Sequence, residues 1–204
     1  MATSKVDICN MALNTLGDFG SVTNIDDGTE DNELTFKVWY DNSRQALLRN
    51  TMPNFALKRA IVAQLVAEPV FGYAYGYQYP SDCLKLLGIG NIEDKQNNYT
   101  VEAGVIYTDD NYEDGMPIRY LVDEKDVTKF TSDWSELLSL YLAVNVCLPI
   151  TQDDGRRERL QASLPLKMST VGSLNSQENS PLRLSRSRFK AARNVDNPTF
   201  VSKK

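Results

Sequence analysis

The chain has 204 residues, enough to bury one real core and add a small second lobe, and its composition is ordinary for a globular protein. Its formal charge of −5 is unevenly spread: residues 1–155 hold 24 Asp and Glu against 11 Lys and Arg, whereas residues 156–204 hold 11 Lys and Arg against 3 acids. It has no histidine, which removes Ser-His-Asp and Cys-His nucleophile activation, histidine metal sites and imidazole acid–base chemistry, so an enzyme here must work through carboxylates, Lys, Tyr or Cys.

Ser4 and Asp7 form a weak capping box that predicts a first helix. Ile8, Cys9, Ala12, Leu13 and Leu16 make its apolar stripe, and Gly17 stops it. After the turn Asp26-Asp27-Gly28, Thr29 is placed to cap a second helix with Glu30, Asp31 and Glu33 in its first turn. Phe36, Trp39, Tyr40, Ser43 and Leu47 share one face of that helix, and Pro53 ends it. Asn54 then predicts a third helix with Leu57, Ala60, Ile61 and Leu65 inward, broken at Pro69.

The texture changes over residues 70–128. Phe71 to Tyr79 is rich in Gly and Tyr, and four short segments read as strands: Leu84-Lys85-Leu86, Tyr99-Thr100-Val101, Val105-Ile106-Tyr107 and Ile118 to Val122. Gly104 suits a tight hairpin between the middle two. Helical pattern returns after Thr131-Ser132-Asp133, with Glu136 as capping partner, a stripe of Leu137, Leu140, Tyr141, Val144 and Leu148, and a stop at Pro149. A last amphipathic stretch carries Leu160, Leu164, Met168 and Val171, with Pro165 predicting a kink or break. Periodicity fades from about residue 179, leaving a basic segment expected to be disordered when alone. The expected architecture is therefore mainly α: an antiparallel helical bundle over residues 1–178 with a small antiparallel β lobe inserted at about 70–128 (α+β), and an extended C-terminal arm over 179–204.

No uninterrupted apolar run approaches the ~20 residues of a membrane span, and Met1 to Lys5 leads into no secretory signal. The three cysteines, Cys9, Cys83 and Cys147, lie far apart in apolar surroundings and read as buried free thiols rather than a disulfide framework or zinc site. The acid pairs Glu93/Asp94, Asp109/Asp110, Glu113/Asp114 and Asp153/Asp154 all fall in predicted turns. Neighbours on one loop seldom converge on a scissile bond, so these read as solvated turns rather than catalytic carboxylates. Gly88-x-Gly90 follows a strand but lacks a third Gly, a following helix or a Lys-Ser/Thr, so it is no phosphate loop.

Two features remain for binding. Tyr73, Tyr75, Tyr77 and Tyr79 recur at period two and would share one strand face. Without interleaved Arg or Lys they fit a protein contact or burial within the body better than base stacking. The run from Arg183 through Leu184, Arg186, Arg188, Phe189 and Lys190 to Arg193 fits nucleic-acid binding or folding on a partner protein.

Five stretches in order resemble the head-to-tail adaptor family of tailed phages, called tail tubular protein A in short-tailed viruses. They are Ile8 to Gly17, Tyr40-Asp41-Asn42-Ser43-Arg44-Gln45-Ala46-Leu47-Leu48, Asn54-Phe55-Ala56-Leu57-Lys58-Arg59-Ala60, Tyr79-Pro80-Ser81-Asp82-Cys83-Leu84-Lys85-Leu86, and Ile118-Arg119-Tyr120 with Tyr141-Leu142-Ala143 through Leu148-Pro149-Ile150-Thr151. The Trp common before the family's Phe is absent here, where Asn54 stands. The resemblance implies a virion protein, assembled in the host cytoplasm, that forms a ring of about twelve copies between the capsid portal and the tail. Its C-terminal segment would clamp the portal protein, a tail nozzle or other tail protein would dock on the opposite side, and genomic DNA would pass through the lumen without specific binding. It implies no cofactor, no metal, no catalytic residue and no membrane. In that setting Arg183, Leu184, Arg186, Arg188, Phe189, Lys190 and Arg193 become expected portal-interface residues, and Tyr73, Tyr75, Tyr77 and Tyr79 an expected second protein interface. The alternatives are a nucleic-acid-binding protein using the basic segment and, less favoured, a carboxylate-based cell-wall hydrolase.

Overall fold

The computed structural model describes residues 4–18, 20–90 and 98–178. Among these, four α-helices and six strands make a mixed α+β fold with two antiparallel three-stranded sheets.

Helix α1 (Lys5–Leu16) begins where local chemistry places it. The Ser4 hydroxyl accepts from the Asp7 N–H at 3.1 Å, and Gly17 closes the helix at φ 69°, a left-handed conformation suited to glycine. All five residues of the predicted stripe are fully buried. The Arg156 guanidinium donates to the Leu16 carbonyl, setting positive charge against the negative helix end.

Helix α2 (Asp31–Thr51) starts one residue later than expected, with Glu30 rather than Thr29 as N-cap in a capping box with Glu33. Glu33 also gathers the preceding loop. Its Oε1 accepts from the Thr23 and Asn24 N–H groups and the Thr23 hydroxyl, and its Oε2 from the Thr29 and Glu30 N–H groups. These donors, the Thr23 and Asn24 N–H groups first, hold its pKa down at about 2. Phe36, Tyr40, Ser43 and Leu47 are buried as their spacing predicts, but Trp39 is 38 % exposed on the flank of that face.

The predicted third helix is instead a single 3-10 turn, Asn54–Ala56, followed by strand β1 (Leu57–Val62). Leu, Lys, Arg and Ala favour a helix locally, but the backbone pairs with β6 (Met116–Val122) from Leu57↔Leu121 to Val62↔Met116, and this pairing overrides propensity. The β region thus begins at Leu57, well before residue 70. Strands β2 (Tyr75–Gln78), β3 (Cys83–Ile89), β4 (Tyr99–Glu102) and β5 (Val105–Thr108) complete it. The β4–β5 hairpin turns through Ala103 at φ 47° and Gly104 at φ 78°, the paired positive angles of a two-residue turn.

The sheets have strand orders β1-β6-β3 and β2-β5-β4. They share one core, with Val62, Ile89, Met116, Ile118 and Tyr120 from the first meeting Tyr77 and Ile106 from the second. The chain crosses between them directly after β1, where Gln64 bridges to Tyr77 and the Leu65 N–H donates to the Gly76 carbonyl.

Helix α3 (Ser132–Thr151) is the hub against which α1, α2 and α4 (Asp154–Gln177) pack. Its length and composition would pass for a membrane span, yet it buries residues all round, including Trp134, Leu138, Leu142, Val146 and Cys147 as well as the expected Leu137 and Val144. Trp134 donates its Nε1–H to the Thr51 hydroxyl at 3.1 Å and packs against Phe55 and Phe130 at ring-centroid distances of 5.3 and 4.6 Å. Pro149 and Pro165 interrupt neither helix; both lie on exposed sides, where water can replace the lost backbone bond. Leu160, Leu164, Met168 and Val171 line the inner face of α4 as their spacing predicts. Cys9 and Cys147 are buried free thiols, while Cys83 is only half-buried.

Arg44 joins the helices to the sheets. It is 1 % exposed, and its Nη1 donates to Asp123 Oδ1 and to the Glu124 carbonyl, each at 2.6 Å. Nε and Nη2 reach Asp41 Oδ1 at 3.3 and 3.2 Å, while Gln45 donates to the other Asp123 oxygen at 3.1 Å. Asp123 and Glu124 directly follow β6, so this one guanidinium fixes the sheet exit against α2.

Two outcomes follow from these polar centres. A carboxyl whose folded pKa is depressed contributes stability above its unfolded value and loses it as pH falls. Glu33 therefore stabilises fully above about pH 4.5 and progressively less towards pH 2. Glu33→Gln flattens the drop of Tm across that window in thermal melts, and parallel curves for parent and variant would refute the assignment. Arg44→Met leaves Asp123 without its cation and lowers stability by about 3 kcal/mol in urea unfolding; a loss under about 1 kcal/mol would place the joint elsewhere.

Candidate interaction surfaces

Of the sequence-predicted acid pairs, Asp109 and Asp153 each hold a backbone N–H in place. Asp109 accepts from the Ala74 N–H at 3.1 Å, and Asp153 caps α4 by accepting from the Arg156 N–H at 2.9 Å. Glu113 and Asp114 are exposed in a turn, and Glu93 and Asp94 lie outside the described residues. Gly88 belongs to β3, and Gly90 follows the strand's end at φ 67°.

The cluster most like acid–base machinery is Lys58, Asp82 and Tyr120. Lys58 Nζ lies 3.0 Å from Asp82 Oδ2, and the Tyr120 hydroxyl donates to the same carboxylate at 3.1 Å. The hydrogen bond to Asp82 raises the Lys58 pKa, and burial raises that of Tyr120. Lys58 and Asp82 remain open to solvent, with side chains 54 % and 39 % exposed.

Every resolved shift among the described residues moves its group away from neutral pH. Burial pushes the Cys9 thiol up to about 12 and the Tyr79 hydroxyl up to about 12. Hydrogen bonds from Thr128 lower Asp126, and the bond to Glu124 raises Lys129. General acid–base catalysis needs the opposite, a group tuned towards the working pH. Among the described residues no three Cys, Asp or Glu side chains gather to hold a metal ion.

The four tyrosines are divided by the fold. Tyr77 is fully buried in the core between the sheets, where its hydroxyl accepts from the Tyr112 N–H at 2.9 Å. Tyr75 and Tyr79 pack partly buried against that core. Tyr73 lies on the opposite face, stacked on Tyr107 at 6.3 Å with its hydroxyl 2.6 Å from that of Thr100. The period-two platform is therefore mostly lobe core, and Tyr77 has no surface to offer a partner. Arg183, Leu184, Arg186, Arg188, Phe189, Lys190 and Arg193 lie outside the described residues.

Three surface features were not singled out by sequence reasoning. The first is the connection from β1 to β2, where Val66, Val70 and Phe71 are 102 %, 95 % and 86 % exposed. An open cleft of about 310 Å³ beside it is lined by Gln64, Leu65, Glu68, Ala74 and Gly76 among others. The second is the outer face of α2, where Leu34 and Val38 are 47 % and 63 % exposed, with Trp39 beside them. The third is the face of sheet β1-β6-β3 that carries Arg59, Arg119 and Ile61; the Arg59 and Arg119 Cα atoms are direct ladder partners. The only advance signal for the first was a run of apolar residues broken by Pro69. The other two needed the helix orientation and the strand register.

Compared with known proteins, the chain matches no family model and no curated protein.

Tyr77 and the exposed connection make opposite demands on stability. Tyr77→Ala removes a buried ring and costs about 3–5 kcal/mol in urea unfolding. Val66→Ser with Phe71→Ser alters stability by less than about 0.5 kcal/mol; a large loss in that double variant would mean that the connection packs within the body.

Proposed function

We propose that this chain is a structural adaptor of a tailed-phage virion, a ring subunit between the capsid portal and the tail, as the five ordered stretches suggest. In this reading the helices form the ring body with the β lobe inserted in it, and residues 179–204 are the arm that orders on the portal. The observation that carries the reading is the exposure of Val66, Val70 and Phe71 on one connection. Water disfavours such clustered apolar surface, and a chain that works alone has little reason to keep it. A subunit that meets a tail protein has a use for it.

The polar contacts support the same reading. Charged groups spent on capping helices and joining layers serve an assembly part better than a catalyst. The acidic body, with 24 acids against 11 bases over residues 1–155, suits a conduit whose wall must not retain DNA.

The test is native mass measurement of the full chain, alone and mixed with portal protein, beside a truncation lacking residues 180–204. The full chain binds the portal as a multimer, and the truncation keeps its fold by circular dichroism but loses portal binding. Unchanged binding by the truncation overturns the role of the arm, and no portal binding by either overturns the adaptor reading. A DNA titration separates the nucleic-acid alternative, which requires an affinity that falls steeply with salt.

A further inference from the structure

Arg59 and Arg119 face each other across the β1–β6 ladder. Like charges in directly opposed positions destabilise a sheet, and neither guanidinium has a hydrogen bond or ion pair to another described residue. The next position along the same row, on β3, is Gly88. A Cβ built there meets nothing within 4 Å, so the sheet floor beside Arg119 is open. Ile61, two residues beyond Arg59 on the same face, is 71 % exposed. This face is therefore cationic and apolar at once, on a body otherwise rich in acids.

Helix α2 carries the complementary surface. Asp31, Leu34 and Val38 lie on one exposed stripe at i, i+3 and i+7, and Trp39 flanks it. Asp31 forms no salt bridge with another described residue. The stripe thus offers what the sheet face can engage: an available carboxylate for its guanidinium groups, aliphatic side chains for Ile61, and an indole ring on which a guanidinium can stack.

We propose that the α2 stripe of one copy of this chain seats on the β1–β6 sheet face of the next, bringing Arg59 and Arg119 onto Asp31 and Trp39 while Ile61 covers Leu34 and Val38. Because the two surfaces differ, the contact is head-to-tail, the kind from which rings are built. The inference rests on the ring reading and specifies its subunit contact.

The test uses the full chain and two variants in sedimentation velocity at about 100 μM, well above a micromolar dissociation constant. Val38→Asp spoils the helix stripe, and Arg59→Glu with Arg119→Glu spoils the sheet face; all are surface changes checked by melting curves for intact folding. The parent forms multimers, each variant alone is monomeric, and an equimolar mixture recovers dimers through its one remaining pair of intact surfaces. Parent multimers that persist in either variant overturn the proposed contact while leaving the ring reading standing. A parent that stays monomeric also overturns it, since complementary surfaces on one chain must find each other; the ring reading is then judged by the portal mixture. A mixture that stays monomeric overturns the pairing of these two surfaces.

Discussion

Arg44 is the constraint on which the arrangement of this molecule depends. Burying a guanidinium is costly unless every donor direction is answered. Here Asp123, the Glu124 carbonyl and Asp41 answer it, and Gln45 holds the second Asp123 oxygen. The acceptors come from α2 itself and from the residues that leave β6. The ion pair therefore adds direction to an apolar contact in which Leu121, Leu57, Leu84 and Val122 of the sheet already pack against the helical core. Hydrophobic burial alone would let the lobe slide on the helices, because it rewards area rather than orientation. The Asp123 N–H also donates to the Asp82 carbonyl, and Asp82 binds Lys58 and Tyr120, so the polar joint continues into the sheet.

A second consequence concerns the acids. Glu33 gathers the loop before α2, Asp153 caps α4, Asp126 caps a 3-10 turn by accepting from Thr128, and Asp109 receives the Ala74 N–H. For Glu33 and Asp126 these donors favour the carboxylate and hold the pKa below its ordinary value. An excess of acids in the sequence therefore translates partly into backbone fastening, and partly into surface charge.

How far the sequence discloses this fold follows from the range of the forces involved. Helix α1 was legible to the residue because Ser4, its stripe and Gly17 act within a turn of their own backbone. Three of the four predicted strands were legible because turn residues bracket short β-branched and aromatic runs, and Leu84-Lys85-Leu86 because apolar and polar residues alternate. Leu57 to Val62 was not, since its helix-favouring composition yields to a partner almost sixty residues away. Pro165 does not break α4, because its position on the exposed side leaves water able to satisfy the freed carbonyl, which spacing alone does not reveal. The two tryptophans show the same limit: Trp39 fell on a correct periodic face yet stays partly exposed, while Trp134, outside the expected stripe, is buried against Phe55. Arg44 was invisible as a joint because a charged residue on a helix reads as solvent-facing until its distant acceptors are known. For the candidate surfaces, period two leaves Tyr77 between a protein contact and burial within the body, and its place between the sheets decides for burial.

The surface combines two tendencies that work against each other. Copies carrying an acidic body repel, and the repulsion is screened beyond about 8 Å at physiological ionic strength. The exposed Val66, Val70, Phe71, Val38 and Ile61 draw apolar partners over shorter distances. Long-range repulsion with short-range attraction suppresses random aggregation while permitting a contact whose local charges complement each other. Arg59 and Arg119 supply that local complement on one face, because cations placed within an acidic field attract only where an acid can approach them closely. In the proposed contact between copies, this charge pairing selects orientation before apolar contact forms, and the joint at Arg44 keeps the lobe and α2 in the one relationship that such copies need.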